Sequence, residues 1–279
     1  MSWINRYLYS MQLKLPKDFK AVVTGGGSGL GRAICVLLAE HGAKIVVADI
    51  NEAGAEETIK LVKSAGAEAL FVHTDVSKWD EVQRLEEKAS EWLGSVDLVV
   101  NNAGVGVRGS TEKISLEDWE WVLGINLWGV VYGCKAFLPK MKENNHGYII
   151  NVASLAGLTA APKMAPYNVS KSGVVSLSET LCAELAHTKV EVSVLCPSFF
   201  RTNIMKSGRG EQSKAVEAAV DKLMDRSKVQ APQVAAAALK AVLAGKLYVL
   251  PMADARFLWR FKRLLPSYFQ SRMLVPKRK

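Results

Sequence analysis

Tyr167 and Lys171 stand four residues apart in a segment whose pattern predicts a helix. At this spacing both side chains lie on one helix face, which makes the phenol and the ammonium group neighbours. A free phenol is a poor base at neutral pH because its pKa is about 10, and a nearby cation lowers that pKa. The pair could therefore move a proton between solvent and a substrate oxygen. Taken alone, such a pair is more commonly an ordinary contact on a helix surface.

A strand, a glycine-rich turn and a helix are predicted in that order near the N-terminus, at 20–24, 25–31 and 32–41. This order places backbone N–H groups and the positive end of a helix against a phosphate. The glycines fit the pattern TGxxxGxG and not GxGxxG, and the turn predicts dinucleotide binding. The expected contacts are Gly25, Ser28, Gly29, Leu30 and Gly31.

An acid ends the next predicted strand, 44–49, at Asp49. In dinucleotide-binding folds an acid about 20 residues after the glycines accepts hydrogen bonds from the adenosine ribose hydroxyls. A carboxylate there also repels a 2′-phosphate, and Ile50 offers no replacement cation. The sequence therefore favours NAD over NADP. The alternative is that Asp49 only caps the helix that starts near Glu52.

Two later strands end in further candidate contacts. Asp75 and Val76 follow the predicted strand 67–74, although Asp75 could simply cap the next helix. The strand 96–100 is nearly all apolar, as in a buried parallel sheet, and it runs into Asn101-Asn102-Ala103-Gly104. Small residues at this edge leave room for a ligand. The expected contacts from this tetrapeptide are Asn102, Ala103 and Gly104.

Strands and helices alternate along most of the chain. This alternation predicts a doubly wound, Rossmann-type α/β domain at 19–254, with about seven parallel strands and helices on both faces. An N-terminal extension (1–18) has apolar residues at helical spacing, and we expect it to pack on the domain or on a neighbouring subunit. A basic, amphipathic tail (255–279) follows the domain.

Charge and cysteine usage exclude several classes of protein. Of 36 Lys and Arg residues, eight lie in 256–279 with no acid, which leaves 28 against 27 Asp and Glu residues elsewhere. A nearly neutral body argues against nucleic-acid binding. The four cysteines and four histidines lack metal-ligand spacing, so we expect no metal site and reduced thiols in a cytoplasmic protein. No secretory signal and no uninterrupted apolar run of ~18 to 20 residues is visible.

The tail mixes aromatic, aliphatic and basic side chains. One interpretation is an interfacial segment that contacts an anionic membrane surface. The other is that the apolar residues cover a neighbouring subunit or the substrate pocket while the basic groups stay in water. The residues that carry these interpretations lie between Arg256 and Val275.

Together these motifs resemble the short-chain dehydrogenase/reductase family in its compact single-domain form, over about 19–250. Thr24 to Gly31 resembles the cofactor turn of the family, Asn101 to Gly104 its NNAG motif, and Tyr167 with Lys171 its YxxxK motif. The resemblance implies that Asn126 and Ser154 complete a catalytic tetrad and that Pro197 and Thr202 lie at the cofactor. It departs from the family at Ser198, where a glycine is usual.

The resemblance also implies a mechanism. Tyr167 would exchange a proton with the substrate oxygen, Lys171 would lower the Tyr167 pKa and hold the nicotinamide ribose, and Ser154 would donate a hydrogen bond to the same oxygen. Asn126 would hold a water that links Lys171 to solvent. We therefore expect NAD-linked hydride transfer to or from a secondary alcohol or ketone.

A hydrophobic substrate is expected because the residues predicted to line the pocket are mostly apolar: Val105, Leu155, Ala156, Met164, Phe199 and Phe200. The alternatives are an NADPH-dependent 3-oxoacyl-thioester reductase, which Asp49 disfavours, and a non-catalytic dinucleotide-binding sensor or scaffold. The helices predicted from Leu116 and from Pro166 resemble those with which the family forms homodimers and homotetramers.

Overall fold

The computed structural model describes residues 13–202, 204, 208–211 and 214–274, with the backbone alone for 214–219 and 273–274. Most of the predicted N-terminal extension and the last five residues of the tail therefore lie outside the described residues. Within the extension, Leu13 is buried and Leu15 is half-buried against the main hydrophobic core. The described end of the extension thus packs on the domain.

Parallel β-strands form the centre of the described chain. In chain order they are β1 (Lys20–Thr24), β2 (Lys44–Asp49), β3 (Ala69–His73), β4 (Leu98–Asn101), β5 (Val107–Arg108), β6 (Gly147–Val152), β7 (Val190–Leu195), β8 (Arg209–Gly210) and β9 (Tyr248–Val249). Seven of these described strands form one sheet in the order β3-β2-β1-β4-β6-β7-β9. The predicted doubly wound sheet is confirmed. Its topological switch point falls between β1 and β4, where such folds bind ligands.

Helices cover both faces of this sheet. They are α1 (Gly29–Ala39), α2 (Glu52–Ser64), α3 (Trp79–Leu93), α4 (Leu116–Leu123), α5 (Gly129–Glu143), α6 (Leu155–Thr159), α7 (Ala165–Glu184), α8 (Lys214–Arg226), α9 (Ala231–Val242), α10 (Ala253–Leu264) and α11 (Pro266–Phe269). Two π-helical turns, at Gly124–Trp128 and Gln270–Leu274, complete the described helical segments.

The central strands are buried on both faces. Val22 in β1, Val99 in β4 and Ile149 in β6 expose none of their surface. Each such side chain contributes roughly 1.5–3 kcal/mol by leaving water. The β1 backbone also pairs in register with both neighbours, β2 and β4, which fixes the strand ends that carry the candidate site.

The described helical run 116–143 is long and apolar enough to cross a bilayer by length and composition. It consists of α4, a π-helical turn and α5, where one long helix was predicted. Val122, Phe137 and Met141 on this run are buried inside the protein. This burial is typical of a core helix.

β5 and β8 were not predicted. They form a separate two-stranded parallel ribbon. Val107 on β5 is buried with Ile114 and Val122 in a small second core. The ribbon lies beside the mouth of the candidate site, because Gly106, Val107 and Arg108 line the main cleft.

Candidate active site

A cleft of about 550 Å³ opens at the carboxyl ends of the central strands. Nearly all of the predicted catalytic and cofactor residues line it. They are Gly25, Ser28, Gly29, Leu30, Asp49, Asp75, Val76, Asn102, Ala103, Gly104, Ser154, Tyr167, Lys171, Pro197 and Thr202. Gly31 and Asn126 do not line the cleft, and both are buried. The fold therefore brings residues from across the sequence to one edge of the sheet.

The glycine turn is held open at the N-terminus of α1. Gly25 and Gly29 have φ angles of 62° and 51°, which favour glycine. A β-carbon at Gly31 would lie 2.1 Å from the Gly25 carbonyl oxygen, so this position requires glycine. Ser28, the N-cap, makes no side-chain bond to the first turn of α1. Gly29 and Leu30 of that turn line the cleft, so their N–H groups lack a side-chain cap where a phosphate could bind.

Thr24 joins the turn to the NNAG segment. Its hydroxyl accepts hydrogen bonds from the Asn102 and Ala103 N–H groups at 3.0 and 3.1 Å. The Asn102 side chain donates in return to the Thr24 and Gly25 carbonyl oxygens at 2.8 and 3.1 Å. Asn102 thus fixes the turn as well as lining the cleft, a structural role that the sequence analysis missed.

Asp49 supports the turn from the other side. Its carboxylate accepts hydrogen bonds from the Gly27 N–H at 2.8 Å and from the Asn51 N–H at 2.9 Å. Asn51, and not Asp49, caps α2 by accepting from the Gly54 N–H. The alternative in which Asp49 merely caps α2 is therefore wrong.

Arg32 is a cation near this turn that the sequence analysis missed. Its guanidinium donates to the Thr58 hydroxyl, to the carbonyl oxygen of Gly54 and to the carboxylate of Glu57. The Arg32–Glu57 ion pair spans 2.9 Å. The Arg32 charge is therefore paired with an acid beside the glycine turn.

Asp75 lies at the cleft but does not cap α3, whose N-cap is Lys78. Its carboxylate accepts hydrogen bonds from the Ser77 N–H at 3.0 Å and the Ser77 hydroxyl at 2.7 Å. Burial opposes ionisation, yet the Ser77 hydrogen bonds and the Lys78 cation outweigh it and lower the pKa of Asp75. The group is therefore a carboxylate at neutral pH that stabilises a tight turn.

Tyr167 and Ser154 meet in the cleft. Both side chains line the cleft, and the nearby Ser154 hydroxyl favours the ionised form of the Tyr167 phenol. Ser154 is the N-cap of α6, where its hydroxyl accepts a hydrogen bond from the Ala156 N–H at 3.1 Å. Burial raises the pKa of Tyr167, and the Ser154 hydroxyl only partly opposes that rise. The phenol is therefore protonated at neutral pH.

Lys171 is buried next to Tyr167. Its ammonium donates to the Val152 carbonyl oxygen at 2.8 Å and lies 5.9 Å from the centre of the Tyr167 ring. Burial lowers the pKa of Lys171 to about 8. In this structure burial is the largest influence on the phenol, and the ammonium is directed to Val152. The expectation that Lys171 lowers the Tyr167 pKa stays a prediction.

Asn126 lies in the π-helical turn and exposes none of its surface. Its side-chain oxygen accepts from the Val105 N–H at 2.8 Å, and its side-chain nitrogen donates to the Val105 carbonyl oxygen at 2.9 Å. The same side-chain nitrogen also donates a hydrogen bond to the Ser170 hydroxyl at 3.3 Å. The side chain therefore holds the loop after the NNAG segment, and the expectation that Asn126 holds a water stays a prediction.

Cys196 is a buried thiol that the sequence analysis read only as a core residue. Burial raises its pKa to about 12, opposed by the charge of nearby Lys171. It therefore stays a neutral thiol near the lysine.

Ser198, two residues after Cys196, stands where the family usually has a glycine. Its φ angle is not positive. Its β-carbon thus imposes no backbone strain.

The rest of the cleft wall is mostly apolar. The predicted Val105, Leu155, Ala156, Met164, Phe199 and Phe200 all line it. Ile204, Val220 and Met224 complete the wall and were not predicted. Val220 and Met224 come from α8, so this helix forms part of the cleft wall. Arg108 adds a positive charge to this wall.

Comparison with known proteins agrees with this geometry. A family model described as short chain dehydrogenase matches residues 20–213. A dehydrogenase/reductase of CLA biosynthesis from Lactiplantibacillus plantarum is 37% identical over 194 residues, which are 67% of this chain and 68% of that protein.

Two solved structures show the same fold. A short chain dehydrogenase/reductase from Burkholderia phymatum, in complex with NAD, has a TM-score of 0.84 and 34% identity, with 94% of this chain and 97% of that chain covered. An alcohol dehydrogenase from the archaeon Thermococcus sibiricus, complexed with 5-hydroxy-NADP, has a TM-score of 0.73 and 25% identity, with 83% and 95% covered.

Proposed function

The chain belongs to the short-chain dehydrogenase/reductase family, and from this we propose that it transfers a hydride between NAD and a hydrophobic secondary alcohol or ketone. The observation that carries the proposal is that the Tyr167 phenol and the Ser154 hydroxyl lie together in an apolar cleft. Lys171 lies on the same helix face. A substrate oxygen placed between the Tyr167 phenol and the Ser154 hydroxyl would accept a hydrogen bond from each.

The residues of the cleft fit a nicotinamide dinucleotide. The first turn of α1 has N–H groups without a side-chain cap, as a pyrophosphate needs. Asp49 would accept hydrogen bonds from the adenosine ribose hydroxyls. Asn102, Ala103 and Gly104 would line the part of the cleft between the glycine turn and Tyr167. When bound, the dinucleotide supplies or accepts the hydride.

The protein groups act on the proton. Toward a ketone, the protonated Tyr167 phenol donates its proton to the substrate oxygen, and the Ser154 hydroxyl stabilises the charge that grows there. Toward an alcohol, Tyr167 must first lose its proton. Because burial raises the Tyr167 pKa, alcohol oxidation gains from alkaline pH and ketone reduction does not.

NAD is proposed over NADP because of the charge at the end of β2. Asp49 would face the position of a 2′-phosphate, and Ile50 beside it is 63% exposed and uncharged. The test is to titrate NAD and NADP into the protein by calorimetry. Tighter binding of NAD supports the proposal, and equal or tighter binding of NADP refutes it.

A hydrophobic substrate is proposed from the apolar wall made by Leu155, Met164, Phe199 and Met224. A panel of secondary alcohols, from short and polar to long-chain and cyclic, tests this by NADH absorbance at constant NAD. We expect kcat/KM to rise with apolar size, since each buried methylene contributes about 0.8 kcal/mol. Turnover of the polar alcohols alone would reverse the proposed substrate class.

A homodimer or homotetramer is proposed from exposed apolar side chains on the long helices. Leu116 on α4 is 80% exposed, Trp128 in the π-helical turn 50% and Val169 on α7 49%. Sedimentation equilibrium tests this. A monomer at micromolar concentration would contradict it.

The free thiols of Cys35, Cys134, Cys182 and Cys196 support a proposed cytoplasmic location.

A further inference from the structure

The C-terminal helix α10 has an inner face that docks on the domain. Ala255 is buried, and the Trp259 ring lies 4.9 Å from the Tyr248 ring. The Lys262 ammonium donates to the Leu158 carbonyl oxygen of α6 at 2.6 Å. Phe269 on α11 is also buried. The described tail is therefore a fixed part of the fold, and its outer face has a defined orientation.

That outer face carries an apolar stripe. Phe257 is 65% exposed, Leu264 79%, Leu265 52% and Tyr268 52%. Phe257 stacks on Phe261 at 5.8 Å, and their spacing of four residues, with Leu264 three further on, puts these three on one side of α10. Exposed aromatic and aliphatic groups in one contiguous patch mark a binding surface.

Arginines flank this stripe. Arg256, Arg260 and Arg263 recur at helical spacing. With successive residues rotated by about 100° around the helix axis, they lie on the side of α10 next to the apolar stripe. The Arg263 guanidinium lies 5.0 Å from the Trp259 ring, and that of Arg272 lies 5.8 Å from the Tyr268 ring. No acidic residue occurs from position 256 to the end of the sequence. The patch is therefore both apolar and strongly cationic.

A shallow groove adjoins the arginines. Its lining includes the apolar Ala237, Ala241 and Trp259 and the cationic Lys246, Arg256 and Arg260. The Arg256 guanidinium also donates to the Leu250 and Pro251 carbonyl oxygens at 2.8 Å, which holds this charge at the groove. Cationic and apolar side chains together suit an anionic headgroup whose acyl chain lies along the neighbouring stripe.

We propose that the apolar stripe and the flanking arginines, from Arg256 to Arg272, form a docking surface for an anionic lipid membrane. Charge complementarity favours this occupant over a second copy of the chain. A symmetric dimer through this face would set arginines against arginines, which opposes association. The body of the chain, with 28 basic against 27 acidic residues outside 256–279, has a nearly neutral net charge and so offers a second copy little overall attraction.

Vesicle co-sedimentation of the full chain tests the proposal, with phosphatidylcholine vesicles that either contain or lack phosphatidylserine. We expect binding to the anionic vesicles alone, and weaker binding as salt is raised. Arg260→Gln and Arg272→Gln should each lower the partition coefficient about fivefold. The double variant Phe257→Ser/Leu264→Ser should abolish binding, since both side chains contribute apolar insertion.

Matched controls lie on α2, where Lys60 is exposed and Leu61 is 46% exposed. Lys60→Gln and Leu61→Ser should bind vesicles as the wild type does, and all variants should keep their thermal unfolding midpoint. Equal binding to neutral and anionic vesicles, or no binding to either, overturns the proposal. A third result also overturns the proposal: the wild type does not bind vesicles, and Phe257→Ser/Leu264→Ser forms a smaller oligomer than the wild type. That result would assign the surface to a second copy of the chain.

Discussion

Substitution of the buried lysine at the candidate site, Lys171→Met, should abolish turnover and yet stabilise the protein relative to wild type at neutral pH. Lys171 is 2% exposed, and burial lowers its pKa from 10.5 to about 8. This shift corresponds to roughly 3 kcal/mol of unfavourable burial of the charged form, at about 1.4 kcal/mol per pKa unit. Methionine fills a similar volume without a charge.

The gain is reduced by one lost hydrogen bond. The Lys171 ammonium donates to the Val152 carbonyl oxygen at 2.8 Å, and loss of that donor costs about 1–3 kcal/mol. The net change at pH 7 should therefore lie between about 0 and 2 kcal/mol in favour of the variant. The sign of the change is less diagnostic than its dependence on pH.

The pH dependence follows from linkage. Between pH 8 and 10.5 the unfolded lysine binds more protons than the folded one, so wild-type stability contributed by Lys171 rises with pH in this window. Methionine has no such contribution. The free energy of unfolding of the variant, relative to that of the wild type, should therefore fall by about 2 kcal/mol between pH 7 and pH 9.5. The titration of all other groups cancels in this comparison.

Urea unfolding followed by tryptophan fluorescence measures this double difference at one protein concentration. Lys63→Met, on the exposed surface of α2, is the matched control and should show no pH-dependent difference. A difference between wild type and Lys171→Met that stays constant from pH 7 to pH 9.5 would refute the assignment of a buried, low-pKa ammonium.

Further predictions concern other parts of the cleft. Tyr167→Phe should lower kcat by a factor on the order of 10³ or more while calorimetry shows unchanged NADH affinity; retained turnover would remove the proposed proton donor. Initial rates of alcohol oxidation should rise continuously from pH 7 toward pH 10 while those of ketone reduction stay level, because the raised pKa keeps the Tyr167 phenol protonated in this range; oxidation rates that level off near neutral pH would contradict the raised Tyr167 pKa. Gly31→Ala should destabilise by about 3 kcal/mol and weaken NAD binding, because the new β-carbon would lie 2.1 Å from the Gly25 oxygen. Gly124→Ala, where the nearest atom is 3.6 Å away, should unfold at the same urea concentration as wild type.

The sheet and most of the site were predictable because their signals are local. Apolar runs such as 96–100 can satisfy their backbone only in a buried sheet, and the observed strand β4 is Leu98–Asn101. Parallel strands place their carboxyl ends at one edge, so residues as distant as Asp49 and Tyr167 line a single cleft.

The features that the sequence did not reveal depend on tertiary contacts. The Asn126 side chain binds the Val105 backbone across 21 residues of sequence, and its helix adopts a π turn, neither of which local sequence signals indicate. The direction of the Tyr167 pKa depends on burial, which spacing cannot measure. The boundary after residue 254 remains a prediction, although Lys262 binds Leu158 and thereby joins the tail to α6.

The most direct test of the proposed chemistry is transfer of a label. The wild type would be incubated with NADH that carries two deuterium atoms at nicotinamide C4 and with an apolar ketone, and the amount and label of the alcohol product would be measured by mass spectrometry. We predict one deuterium on the carbinol carbon of the wild-type product, and an amount of product from Tyr167→Phe that is lower by a factor on the order of 10³ in the same time. An alcohol without deuterium at that carbon, or an equal amount of labelled alcohol from Tyr167→Phe, would contradict the proposed chemistry at this cleft.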